Sequence, residues 1–116
     1  MASLSDLQKE FTLCVSKLVQ FAYENGYALT YGDAYRDPRV HGAYGEKDSY
    51  SEAFSMHKQR LAVDFNLFKG TSYLQRSEDY KLLGEYWKSL HPLARWGGDF
   101  SNADGNHFSF TYQGRA

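Results

Sequence analysis

The sequence predicts an α+β domain, a small antiparallel sheet with two main helices, and three patterns carry that expectation. Apolar residues recur at helical spacing near the start. Two stretches further on alternate with a period of two, and a second helical stretch lies between them. With 116 residues the chain makes a single domain, 1–116, able to bury roughly two-thirds of its unfolded surface without disulfide staples.

Leu4, Leu7, Phe11, Cys14, Leu18 and Ala22 follow one another at intervals of three and four, one buried helical face. Ser5 with Gln8 suits a capping box and Asn25-Gly26 a stop, so the first helix is expected over about 5–25, with Tyr27 to Thr30 as a short strand after it. Residues 31–54 hold Gly32, Pro38, Gly42 and Gly45 among tyrosines and arginines, a long irregular segment with one helical turn at Pro38. Its length points to function, and its composition to an ordered surface.

Leu61 to Phe68 alternates as a strand, with Val63, Phe65 and Leu67 on one side and Ala62, Asp64, Asn66 and Phe68 on the other. Ser77 caps a helix to about Leu90 that turns Tyr80, Leu83, Trp87 and Leu90 inward, and Pro92 ends it. Arg95-Trp96 enters a Gly97-Gly98 turn. His107 to Tyr112 alternates again as the last strand, with Phe108, Phe110 and Tyr112 on one face.

Composition excludes several classes. Hydrophobic residues at 42% and charged residues at 23% exclude a disordered chain. A net charge of −1 leaves no basic surplus for nucleic acid. No signal peptide pattern or membrane-spanning run is expected. The single cysteine, Cys14, falls on the apolar helix face as a buried, inert thiol and suits a reducing compartment. Aromatic residues reach 17%, including 10 Tyr; most are expected in the core, and such residues also line grooves for sugars or peptides.

Asp64 is out of place in an apolar strand, where an ionised carboxylate is costly unless paired or bound to a cation. His57 precedes it, and His107 opens the last strand behind an acidic turn. These three satisfy the ligand count of a catalytic zinc site, with Asp104, three residues before His107, as general base for a metal-bound water. A plainer reading stands beside it: Asp64 pairs with Arg60 or Arg95, and His107 is an ordinary half-buried histidine.

Ser-x-His-(x)6-Asp, followed by Trp-Gly-Gly-Asp-Phe and Asp-x-x-His-Phe, resembles the M15 family of zinc peptidases across roughly residues 35–110. These are D-alanyl-D-alanine carboxypeptidases, dipeptidases and phage L-alanyl-D-glutamate endopeptidases that cut peptidoglycan stem peptides. The resemblance implies a Hedgehog/D-Ala-D-Ala-peptidase-like fold, Zn2+ on His57, Asp64 and His107, and Asp104 as the water-activating acid. The Asp-x-x-His form is similar to the phage endopeptidase branch, which implies cleavage between L-Ala and D-Glu. It further implies a monomeric lysis enzyme made in the host cytoplasm and released through a separate pore. Tyr35-Arg36 resembles the family's Tyr-Arg element, whose arginine stabilises an oxyanion or holds a substrate carboxylate; Ser55 matches the serine that contacts substrate or shapes the turn. Arg60 stands where many members have Gly. Asp99 is read as a partner to a histidine ligand or as a turn stabiliser, His41 as a solvated loop residue, and His91 as a helix-closing residue.

Overall fold

The computed structural model describes residues 3–34 and 55–116. Helix α1 spans Leu4–Glu24 and buries Leu7, Phe11, Cys14, Leu18 and Ala22, the face expected from the spacing. Its cap lies two residues earlier than the sequence reading: Ser3 accepts from the Asp6 backbone, and the Asp6 side chain accepts from Ser3 in return. Burial pushes the Cys14 thiol pKa up, which keeps it protonated and inert. Gly26, at φ +84, ends the helix and turns the chain into strand β1, Ala28–Tyr31.

Strand β2, Ala62–Lys69, is the centre of the sheet. It pairs antiparallel with β1, with β3 (Ser72–Leu74) and with β5 (His107–Phe110), and β5 pairs in turn with β4 (Ala94–Trp96). The two three-residue strands were not expected as strands, since three residues are too few to show a period. β5 and β3 meet successive stretches of β2 along one edge, β5 at residues 62–64 and β3 at 67–69, so the sheet forks between them. At the fork the Phe65 amide donates to the Asn106 carbonyl at 3.0 Å, and the Tyr80 hydroxyl donates to the Phe65 carbonyl at 3.0 Å.

Helix α2 is Lys81–Leu90, shorter than read, because Ser77–Tyr80 forms a 3-10 turn in front of it. Ser77 does not cap it; the Ser77 hydroxyl instead accepts from the Gly105 amide at 2.9 Å. The core lies between the two helices and the Val63, Phe65 and Leu67 side of β2. Trp87 is fully buried at its centre, edge-on to Phe11, and its indole N–H donates to the carbonyls of Arg95 and Ser109. Gly84 lies directly under the Trp96 ring, so a Cβ there has no room. Gly84→Ala is therefore expected to destabilise by about 1–3 kcal/mol in urea unfolding, the usual cost of overpacking.

The opposite side of β2 carries Asp64, Asn66 and Phe68, as the alternation requires. Asp64 pairs across to His107, so their side chains leave the sheet on the same face.

Candidate metal centre

Three short elements deliver three side chains to this face. The turn Met56–Gln59 starts at Ser55, whose hydroxyl accepts from the His57 amide at 3.2 Å, and buries His57 almost completely. Arg60 ends that turn in the left-handed region at φ 57, which reverses the chain into β2. Four residues on, Asp64 projects from β2 beside His107 of β5.

There, one carboxylate oxygen of Asp64 lies 3.3 Å from His57 Nε2 and 3.2 Å from His107 Nδ1. One ligand atom from each of the three lies within 4.8 Å of the others. The outer nitrogens are occupied by backbone: His57 Nδ1 sits 2.9 Å from the Ala34 carbonyl oxygen and His107 Nε2 3.3 Å from a main-chain oxygen of Ala116. Such an oxygen only accepts, so in a neutral ring the single proton belongs on the outer nitrogen. Each inner nitrogen then presents a lone pair to an anionic oxygen, and the buried His57 Nε2 has no hydrogen-bond partner. Three converging lone pairs repel unless protons or a cation join them. Two imidazoles and one carboxylate, with the outer nitrogens met by main-chain acceptors, are the kind of donor set that a divalent metal takes. The residues fit a divalent metal.

Burial alone would raise the Asp64 pKa, but interaction with the His107 and then the His57 imidazole outweighs it and lowers it to about 2. The plainer pairing of Asp64 with Arg60 or Arg95 is not the arrangement found. Asp64 faces the two imidazoles, and the Arg95 guanidinium donates to the carbonyls of Pro92 and Ala94.

Asp104 lies in the turn that leads into His107. Its amide donates to the Gly97 carbonyl at 2.9 Å and its carbonyl accepts from the His107 amide at 3.1 Å. The next residue is held from both sides: the Gly105 carbonyl accepts from Trp96 Nε1 at 2.7 Å, and its amide donates to Ser77. Gly97 packs so closely beneath this turn that a Cβ would collide with the Asp104 carbonyl and the His107 Cβ. The Asp104 side chain is exposed.

Asp99 partners no imidazole. It forms an ion pair with Lys88 at 2.8 Å, and main-chain oxygens orient the histidines in its place. The sequence reading missed Ala34 and Ala116, which act through backbone atoms and carry no chemical signature, and it placed Trp96 and Gly97 in a turn without assigning them the support of the Asp104 turn. His91 closes α2 as expected and stacks on Phe110. Ser55 shapes the His57 turn. Tyr35, Arg36 and His41 lie outside the described residues.

Arg60 occupies a backbone conformation in which a Cβ costs about 1–2 kcal/mol. Arg60→Gly is expected to stabilise by up to about 1 kcal/mol, after the extra chain entropy that glycine loses, whereas Arg60→Val is expected to cost about 1–2 kcal/mol. Denaturant midpoints of the two variants read this out.

Comparison with known proteins bears on the same region. Residues 49–110, more than half of the chain, match a family model described as D-alanyl-D-alanine carboxypeptidase, a peptidase M15 group. Among solved structures, the chain is similar to the Serratia marcescens L-Ala D-Glu endopeptidase ChiX, with a TM-score of 0.59 and 15% sequence identity over 85% of this chain and 79% of that one. This likeness is one of fold. No curated protein sequence matches the chain.

Proposed function

The chain belongs to the M15 peptidase family, and from its site we propose that it is a zinc-dependent peptidoglycan peptidase cutting the L-Ala–D-Glu bond of stem peptides. One observation carries the zinc assignment: the lone pairs of His57, Asp64 and His107 converge while main-chain oxygens hold the outer ring nitrogens. His57, Asp64 and His107 would hold the ion, which when bound would supply Lewis acidity for activating water and polarising the scissile carbonyl. Asp104 accepts the proton of the attacking water and returns it to the leaving amine. Arg36, assigned by motif alone, offsets the negative charge that develops on the carbonyl oxygen. Ser55 keeps His57 in place through its turn.

The choice of bond is supported by the Asp-x-x-His form of the motif and by the fold shared with an L-Ala D-Glu endopeptidase. The resemblance to the phage branch supports a lysis enzyme that accumulates in the host cytoplasm and reaches the wall through a separate pore, and we propose a monomer. No helix among the described residues is long and apolar enough to cross a membrane.

A second reading has its own support, since the matching family model is described as a D-alanyl-D-alanine carboxypeptidase. One experiment separates the two. Purified protein is stripped with chelator, reloaded with zinc and given purified peptidoglycan, and the muropeptides are weighed by mass spectrometry. Peptides newly starting at D-Glu, formed only with zinc, are the expected result. Release of terminal D-Ala alone moves the assignment to the carboxypeptidase. Stoichiometric zinc without any cleavage makes the chain a binding module.

A further inference from the structure

A cleft of about 250 Å³ opens at the fork between β5 and β3. Asp104 and Asn106 line it on one side, Tyr73 and Gln75 on the other, and Tyr80 contributes to the wall. The cleft shares Asp104 and Asn106 with the turn that leads into His107, and the Asn106 carbonyl accepts from the amide of Phe65, the residue after Asp64.

Tyr73 is the unusual member. It is half exposed, which is costly for so large a ring, yet it is tied to two residues of β2. Its ring stacks on Phe68 with centroids 5.1 Å apart and planes at 22°. Its hydroxyl donates to Asn66 Oδ1 at 3.3 Å, and the Asn66 amide donates to the Thr30 hydroxyl at 3.2 Å. An exposed ring held this firmly is a preorganised platform.

The lining also states what kind of ligand it accepts. Gln75 and Asn106 each offer a carboxamide, a donor and an acceptor together. The charged group among the described lining residues is a carboxylate, Asp104. A neutral ligand with hydroxyl and acetamido edges and an apolar C–H face is complementary.

We propose that this cleft is a glycan subsite that takes an N-acetylated sugar of the peptidoglycan strand, with Tyr73 as its platform and Gln75 and Asn106 as its hydrogen-bonding edge. The inference rests on the L-Ala–D-Glu reading. In that substrate only L-Ala separates the cleaved bond from the sugar-linked lactyl group, a span of about 3.5 Å of extended chain. A sugar therefore has to lie close to Asp104, and this cleft is what the protein presents there.

The test has two arms. In the first, zinc-loaded protein labelled with 15N is titrated with N-acetylchitotetraose. Amide shifts at Tyr73, Gln75 and Asn106 that vanish in Tyr73→Ala are expected, and shifts elsewhere or none overturn the proposal. In the second, kcat/KM is compared on a disaccharide-linked stem peptide and on the free peptide. Wild type is expected to favour the former by about tenfold, a ratio that falls to near one in Tyr73→Ala and survives in Tyr73→Phe. Equal rates in wild type, or an unchanged ratio in Tyr73→Ala, overturn it. If neither peptide is cut while the tetrasaccharide still shifts those amides, the subsite stands and the cleavage reading falls. If the free peptide is cut and the sugar fails to bind, only the subsite falls.

Discussion

Asp64→Asn is expected to remove the metal and, with it, all measurable wall digestion. The substitution keeps the shape of the side chain and changes one property: the oxygen between His57 Nε2 and His107 Nδ1, at 3.3 and 3.2 Å, is no longer anionic. A carboxamide is a far weaker ligand for a divalent ion, and the two imidazoles alone leave it half bound. Zinc affinity, measured by chelator competition, should fall by more than about a hundredfold, beyond the 10–100-fold typical of losing an outer partner. Retention of zinc at wild-type affinity would show that the ion is not held here.

The metal-free protein provides an independent measure of the same residue. The Asp64 pKa is lowered from 3.8 to about 2 in the folded state, so its charged form is the one that folding favours. A lowered carboxylate pKa stabilises fully above the unfolded value and loses that contribution as pH falls through the folded one. Stability of the metal-free wild type should therefore decline by about 2 kcal/mol between about pH 4 and pH 2 on this account alone. Asp64→Asn, with no proton to take up, should lack that component of the acid slope.

Much of this architecture can be read before any coordinates. The α1 face, the alternation of β2 and the apolar residues of β5 are periodic, and periodicity survives into the fold because burial enforces it. Asp64 was legible for the opposite reason: a charge inside an apolar strand breaks the pattern and demands a partner. What stayed hidden is short or made of backbone. β3 and β4 have three residues each, and their pairing is decided by the β2 and β5 edges they meet. The Ser3 cap lay outside the apolar pattern, and Ser77 was taken for a cap because the same hydroxyl that caps a helix also binds the Gly105 turn. The orienting groups on His57 and His107 are main-chain oxygens, which every residue has, so only folding reveals that Ala34 and Ala116 supply them. Asp99, one of two readings of which was a partner to a histidine ligand, pairs with Lys88 instead.

Asp104→Asn separates holding the ion from using it. The variant should bind zinc as wild type does, because none of the three inner donor atoms belongs to Asp104. It should keep its fold, because the turn is fixed through backbone groups and neighbours: Gly97, His107, Trp96 and Ser77 contact main-chain atoms of residues 104 and 105. Only the exposed carboxylate is lost. General-base catalysis contributes about 10²–10⁴-fold, so kcat on purified peptidoglycan should fall by that factor with KM little changed. The pH profile adds a further readout, since the acid limb governed by this base in wild type should disappear from the residual rate. An Asp104→Glu variant places the same group one methylene further out on a rigid turn, and partial recovery there would tie the loss to proton transfer rather than to charge near the site. Were Asp104→Asn to cut stem peptides at the wild-type rate with zinc in place, the proton would have to leave by another group, and the role assigned to the Asp-x-x-His turn would be withdrawn while the metal site stood.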